Sequence, residues 1–244
     1  MVTILKLGGS VITEKDRPET LDGEALAALA DAIAAADVDE LVVVHGGGSF
    51  GHHHAAERGV SASDGIRDVE GIMAVHGAMK TLNQFVLSRL HAADVPAVPV
   101  HPFSAAARDG DGDLSLMTDQ VATMLDEGFV PLLHGDGVVH AGEGVTVLSG
   151  DELVTELATA LDADRVGLCS TVPGVLDADD EVIPRIDAFG EVADVLGVSD
   201  STDVTGGMAA KVRELLDLGS PACVFGPDDV KSFLAGEEAG TRIG

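Results

Sequence analysis

Two kinds of apolar pattern alternate along this chain. Short runs rich in valine, isoleucine and leucine read as buried strands: Val2 to Leu7, Leu41 to Val44, Pro96 to Val100, Phe129 to Leu133, Arg165 to Cys169 and Ala222 to Phe225. Between them, apolar positions recur every three or four residues, as on one face of a helix. Asp22 is placed to cap a helix reaching about Ala36, with Leu26, Leu29, Ala30 and Ile33 on its inner face. A longer helix runs from Glu70 to about Ala92, with a stripe of Ile72, Val75, Met79, Leu82, Val86 and Leu90. Further helices are predicted over Thr118 to Asp126, from the capping-box sequence Ser149-Gly150-Asp151-Glu152 to about Leu161, from Thr205-Gly206-Gly207 through Lys211, and over Asp228 to Leu234.

The remaining segments read as connections. Val138 to Leu148 divides around Gly142-Glu143-Gly144 as a hairpin, and Gly240 to Ile243 ends the chain in a strand-like tail. Arg58 to Asp68 has no period, Gly110 to Asp113 and Asp177 to Glu181 are acidic turns, and Val182 to Leu196 fits neither template. Strands alternating with helices predict an α/β fold with a largely parallel sheet. No internal repeat or flexible linker divides residues 1–244, so a single domain is expected.

Composition changes this picture in one respect. A chain of 244 residues with 45% apolar content can bury a sizeable core, yet its formal net charge is −28. That surface disfavours nucleic acid as a partner and suits a salty cytoplasm, where ions screen self-repulsion. An anionic substrate then needs locally focused positive charge. Cys169 and Cys223 lie in apolar runs without metal spacing and read as small core residues. No leader and no membrane-length apolar segment is evident, so a soluble cytoplasmic protein is expected.

The cations are few, and their placement is informative. Only five lysines occur, Lys6, Lys15, Lys80, Lys211 and Lys231, and several adjoin glycine-rich turns. The first strand delivers Lys6 to Gly8-Gly9-Ser10, with Lys15 in the loop beyond. The second delivers His45 to Gly46-Gly47-Gly48-Ser49-Phe50-Gly51-His52. Glycines let the backbone approach a ligand and turn N–H groups toward an anion, and a helix beginning there adds its positive end. His52 stands at the edge of such a nest. In open α/β sheets ligands sit beyond the carboxyl ends of strands, where both turns fall.

Gly46 to Gly51 formally matches the dinucleotide pattern G-x-G-x-x-G. It follows the second strand, however, and Asp68 and Glu70 precede a helix where an acidic residue should end a strand. No P-loop pattern occurs. Three consecutive histidines, His52-His53-His54, cannot all face one ion in regular structure, and no metal site is expected. What remains are glycine-and-lysine elements with an acidic residue, Asp151, able to hold lysines in place. Phosphoryl transfer needs this equipment.

These elements, in this order, resemble the amino acid kinase superfamily and, within it, the archaeal isopentenyl phosphate kinases. The resemblance runs nearly end to end: Lys6-Leu7-Gly8-Gly9-Ser10 with Lys15, His45 to His52, Ala78-Met79 with Leu82-Asn83, Leu148-Ser149-Gly150-Asp151, Pro173-Gly174-Val175, Asp203-Val204-Thr205-Gly206-Gly207-Met208 with Lys211, and Gly240-Thr241-Arg242-Ile243. It implies a three-layer αβα sandwich, an acceptor half over residues 1–150 and an ATP half over 151–244. It also implies phosphorylation of isopentenyl phosphate by ATP with magnesium, in a mevalonate route and in a homodimer.

By position, Lys6 and Lys211 would stabilise the transferring group, Lys15 would meet the ATP phosphates, His52 the acceptor phosphate, and Asp151 would orient the lysines. Gly8, Gly9, Gly47 and Gly48 would present N–H groups, with Ser49, Gly51 and Gly150 beside the substrate. Ser10, Ser170, Pro173, Gly174, Gly206 and Gly207 would border the nucleotide. Met79 would wall the isoprenoid tail, with Val139 or Val147 opposite. His53 stands where the family often has proline, and the 170–174 loop lacks the family's common acidic residues. The alternatives are a kinase for another small phosphate or phosphonate, such as fosfomycin, and a nucleotide-binding storage or sensor protein without turnover.

Overall fold

The structure is a computed structural model describing residues 1–196 and 207–244. Strands β1 (Val2–Leu7) and β2 (Glu40–His45) pair in parallel at the centre, with α1 (Gly9–Ile12) and α2 (Gly23–Ala34) between them. Asp22 caps α2 by accepting from the Ala25 N–H at 2.9 Å, as its sequence position predicts. The glycine loop after β2 enters α3 (Gly48–Arg58), and the long periodic segment forms α4 (Val69–Ala92). Then follow β3 (Ala97–Pro99), α5 (Pro102–Ala105), β4 (Ala106–Arg108) and β5 (Leu114–Leu116). Both β4 and β5 went unread in the sequence because three-residue strands carry too few alternations to show a period.

The chain continues through α6 (Thr118–Asp126), β6 (Val130–His134), the hairpin β7 (Asp136–His140) and β8 (Gly144–Leu148), and α7 (Gly150–Ala160). The last third holds β9 (Arg165–Cys169), β10 (Arg185–Ile186), α8 (Ala193–Leu196), α9 (Gly207–Leu216), β11 (Ala222–Phe225), α10 (Val230–Leu234) and β12 (Thr241–Ile243). Thr205 and Gly206, read as opening a helix, lie outside the described residues; α9 begins at Gly207.

Eight strands form the main sheet in the order β10-β12-β11-β9-β1-β2-β6-β3, parallel except where β12 meets β11. A second sheet, β5-β4-β7-β8, rises beside its carboxyl end. Alternation along each strand sends side chains to opposite faces. Leu5, Leu7 and Val43 pack under α2, α4 and α10, while Ile4, Val42 and Val44 pack under α6, α7 and α9. The mainly parallel α/β sandwich is therefore as expected. Most of the α4 stripe (Val75, Met79, Leu82, Val86 and Leu90) is buried within the chain, so it is core rather than free surface. Among the described residues no helix is long and apolar enough to cross a membrane.

Candidate active site

The carboxyl rim of the sheet explains how four loops converge. Each extends the parallel ladder one residue past its strand: Ser170 N–H donates to Phe225 O, Gly8 to Cys169 O, Gly46 to Leu7 O and Gly135 to His45 O, at 2.8 to 3.0 Å. Above this rim lies a cavity of about 260 Å³. It brings together Lys6, Gly8, Gly9, Ser10 and Lys15 from the first turn, Gly47, Gly51 and His52 from the second, Met79 from α4, Val147 from β8, Gly150 and Asp151 from α7, Ser170 after β9, and Lys211 from α9. Residues scattered over the whole chain thus line one space.

Asp151 joins the two lysines. Its Oδ1 lies 2.6 Å from Lys6 Nζ and its Oδ2 3.8 Å from Lys211 Nζ, and all three side chains are largely buried. Local sequence explains its position: Ser149 caps α7 by accepting from Glu152 N–H at 3.1 Å, which puts Asp151 in the first turn. The capping box is only half made, because the Glu152 carboxylate turns away to a forked pair with Arg108 at 2.5 and 2.6 Å. That pair neutralises an acid adjoining the lysine axis. The N-termini of α3 and α7 both meet the cavity, adding positive potential where an anion would sit.

The two glycine turns interlock. A Cβ on Gly9 would overlap the Gly48 backbone nitrogen and lie 2.6 Å from its Cα, and Gly48 has φ +48°. Thr13 Oγ1 then accepts from Ser49 N–H at 3.0 Å, and Ser49 Oγ exchanges bonds with the Thr20 backbone at 3.3 Å. The His54 imidazole also pairs with Glu19. These contacts pin the 13–21 segment on α3 and carry Lys15 to the cavity.

Several expectations change. Gly8 lines the cavity, but its N–H is taken by Cys169 O at 2.9 Å, so it does not present that group. Gly48 and Ser49 face the 9–20 segment and do not line this cavity. Val139 is 51% exposed: β7 and β8 pair Val147 with Gly137, which leaves Val139 two pairs nearer the hairpin turn and beyond the cavity edge. Pro173, Gly174 and Gly207 also lie outside it. Gly174 is packed where a Cβ would come 2.7 Å from Thr241 Oγ1.

The sequence reading missed Val75, Gly135, Asp136 and Thr171 on the cavity wall. It also missed the polar layer beneath. His45 and His134 are fully buried and stacked with centroids 5.4 Å apart, and His76 Nδ1 lies 2.9 Å from the buried Asp136 carboxylate. The signal was present as a repeat: Val-Val-His-Gly and Leu-Leu-His-Gly end two strands alike. Burial pushes the His45 imidazole down to about 4 and His134 well below its ordinary range. A lowered histidine is neutral in the fold while the unfolded chain takes up the proton first. Stability from His45 is therefore present above its unfolded pKa of about 6.5 and is lost as pH falls toward 4. Relative to His45→Asn, the protein should lose stability on the order of 2 kcal/mol between pH 8 and 4.5, read from denaturant unfolding at each pH.

The family model for the amino acid kinase family matches residues 1–220, and the chain belongs to that family. It is 63% identical to isopentenyl phosphate kinase of Haloferax volcanii, over 99% of this chain and 98% of that one. The corresponding kinase of Methanocaldococcus jannaschii is 34% identical over 100% of this chain and 98% of its own. A crystal structure of an isopentenyl phosphate kinase superposes with a TM-score of 0.86 at 31% identity, covering both chains fully. Within its family the chain groups with the isopentenyl phosphate kinases.

Proposed function

We propose that this chain transfers the γ-phosphoryl group of ATP to isopentenyl phosphate, giving isopentenyl diphosphate and ADP. The observation that carries the reading is one cavity lined by the Lys6–Asp151–Lys211 axis together with two sets of residues. The first is His52, Gly47 and the apolar Val75, Met79 and Val147; the second is Ser170 and Thr171. The first suits a phosphate bearing a short hydrocarbon tail. The second leads to the 170–174 loop, where the nucleotide would lie with Pro173, Gly174, Gly206 and Gly207 bordering it. Residues 1–150 then form the acceptor half and 151–244 the ATP half.

An oxygen of the acceptor phosphate forms the new bond to the γ-phosphorus, and the bond to the bridging oxygen of ADP breaks. Charge builds on the equatorial oxygens between, where Lys6 and Lys211 stabilise it. Asp151 keeps both ammonium groups in place, Lys15 meets the donor phosphates, and Mg²⁺ arrives with the nucleotide. The enzyme would work in a mevalonate route in a salty cytoplasm, which its charge of −28 suits. A homodimer would use the flank of α4 that leaves Val69 and Met73 exposed.

The test is ADP release in concentrated KCl with Mg·ATP, comparing isopentenyl phosphate, dimethylallyl phosphate, fosfomycin and amino acids. Turnover of the isoprenoid phosphates is expected; turnover of fosfomycin alone would overturn the reading. His52→Ala should lower kcat/KM for isopentenyl phosphate at least about tenfold by removing a charge-assisted bond to phosphate. An unchanged value takes His52 out of the mechanism.

A further inference from the structure

We propose that His45 is a positioning residue: it holds the Gly46–Gly47 peptide so that the N–H of Gly47 faces the acceptor phosphate, while its register partner His134 holds the Gly135–Asp136 peptide at the entry to the β7–β8 hairpin. The proposal rests on the phosphate-transfer reading above. Its ground is a matched pair of contacts on adjacent strands. His45 ends β2 and His134 ends β6, and the two are register partners. His45 Nδ1 lies 3.0 Å from Gly46 O, and His134 Nδ1 lies 2.9 Å from Gly135 O.

A carbonyl oxygen only accepts, so both Nδ1 atoms carry the proton. Each Nε2 is then an acceptor and needs a donor. His101 Nδ1, 3.0 Å from His134 Nε2, supplies one. The Asn83 side chain lies with Oδ1 3.2 Å from His45 Nε2; two acceptors cannot bond each other, so the amide is assigned the opposite way, with its NH₂ toward the ring as the other donor. The chain of donors runs one way, with every ring neutral, and the depressed proton affinity of His45 and His134 agrees.

Peptide geometry converts these bonds into function. In a trans peptide the C=O and the next N–H point in opposite directions. The buried rings hold the Gly46 and Gly135 carbonyls inward, away from the cavity. The N–H of Gly47 is therefore directed outward, and Gly46 and Gly47 line the cavity. The Asp136 N–H instead enters the β7–β8 ladder opposite Leu148. The preceding N–H groups cannot serve, since Gly46 N–H is bound to Leu7 O at 2.9 Å and Gly135 N–H to His45 O at 3.0 Å. A peptide between glycines has little intrinsic preference for one orientation, so an external anchor decides it. The anchored Gly47 N–H is thereby a preset donor for an anion.

The test compares His45→Leu, which fills the space without a donor, with His45→Asn, whose amide nitrogen stands in for Nδ1. His45→Leu should raise KM for isopentenyl phosphate about tenfold or more while KM for ATP stays within about twofold; His45→Asn should recover most of the loss. Equal KM values in the two variants, or a parallel rise in both KM values, would reduce His45 to a packing residue. A second measurement does not depend on the variants folding: ¹⁵N spectra of histidine-labelled wild-type protein at pH 7 should show two buried rings protonated at Nδ1. Protonation at Nε2 in either ring overturns the proposal. If the wild type fails to turn over isopentenyl phosphate, the substrate reading fails on its own. Inorganic phosphate then decides the proposal: it should shift the Gly47 amide resonance in wild type and His45→Asn but not in His45→Leu.

Discussion

Replacing Lys6 by methionine should lower kcat about a thousandfold, because it removes a buried cation aimed at the charge that develops on the transferring phosphoryl group. The side chain is 8% exposed and its Nζ lies 2.6 Å from Asp151 Oδ1. The substitution therefore has a second effect: Asp151 loses the nearer of its two lysines and keeps Lys211 at 3.8 Å, and a half-broken buried pair costs about 3 kcal/mol of stability. The two effects separate in the double variant Lys6→Met, Asp151→Asn. Neutralising the Asp151 carboxylate should restore most of the unfolding free energy while turnover stays at the single variant's level. Steady-state ADP release and denaturant unfolding on the same three proteins check both parts. If the double variant regained activity, Lys6 would be serving packing and not the reacting phosphate.

The next largest effect is expected from a single methyl group far from any charge. In Gly9→Ala the new Cβ would overlap the Gly48 nitrogen and stand 2.6 Å from its Cα, and both obstacles are backbone. Gly48 does not adjust easily. It holds φ +48°, and Thr13 Oγ1 and the Gly9 carbonyl already fill its own Cβ direction. The two turns must part, which should cost about 3 kcal/mol. It also moves His52 away from Lys6, and a misplacement of about 1 Å is worth roughly a hundredfold in rate. The control is Gly59→Ala. That position also has positive φ, +66°, but nothing within 4 Å, so it should cost only about 1 kcal/mol and leave kcat unchanged. Unfolding midpoints and kcat for the two variants, compared directly, decide whether the interlock of the turns or mere backbone strain is responsible.

The difference between these two glycines shows where sequence reading stops. Both stand after apolar or helical segments, and both read as turns. Only the crossing of two loops, nearly forty positions apart in the chain, makes one of them intolerant of a methyl group. Ser49 teaches the same lesson: its place in the loop suggested a substrate contact, and packing gave its hydroxyl to Thr20. Val139 and Val147 were equivalent on paper, until the hairpin register paired Val147 with Gly137 and carried Val139 past the rim.

What the chain determined alone was the set of local decisions. Apolar period placed β1, β2, β9 and α4 within a residue or two, and Asp22 and Ser149 capped their helices through bonds to residues three positions on. Scarce lysines near glycine turns singled out Lys6, Lys15 and Lys211, because phosphoryl transfer needs cations where the backbone can approach a phosphate closely. What only the tertiary structure decided was which backbone groups remain to bind a ligand. The ladder took the N–H of Gly8, Gly46, Gly135 and Ser170, and two buried histidines turned the peptides that follow Gly46 and Gly135. Every backbone group carries a donor and an acceptor whatever its side chain, so their allotment is written in strand register and loop crossing, not in residue type.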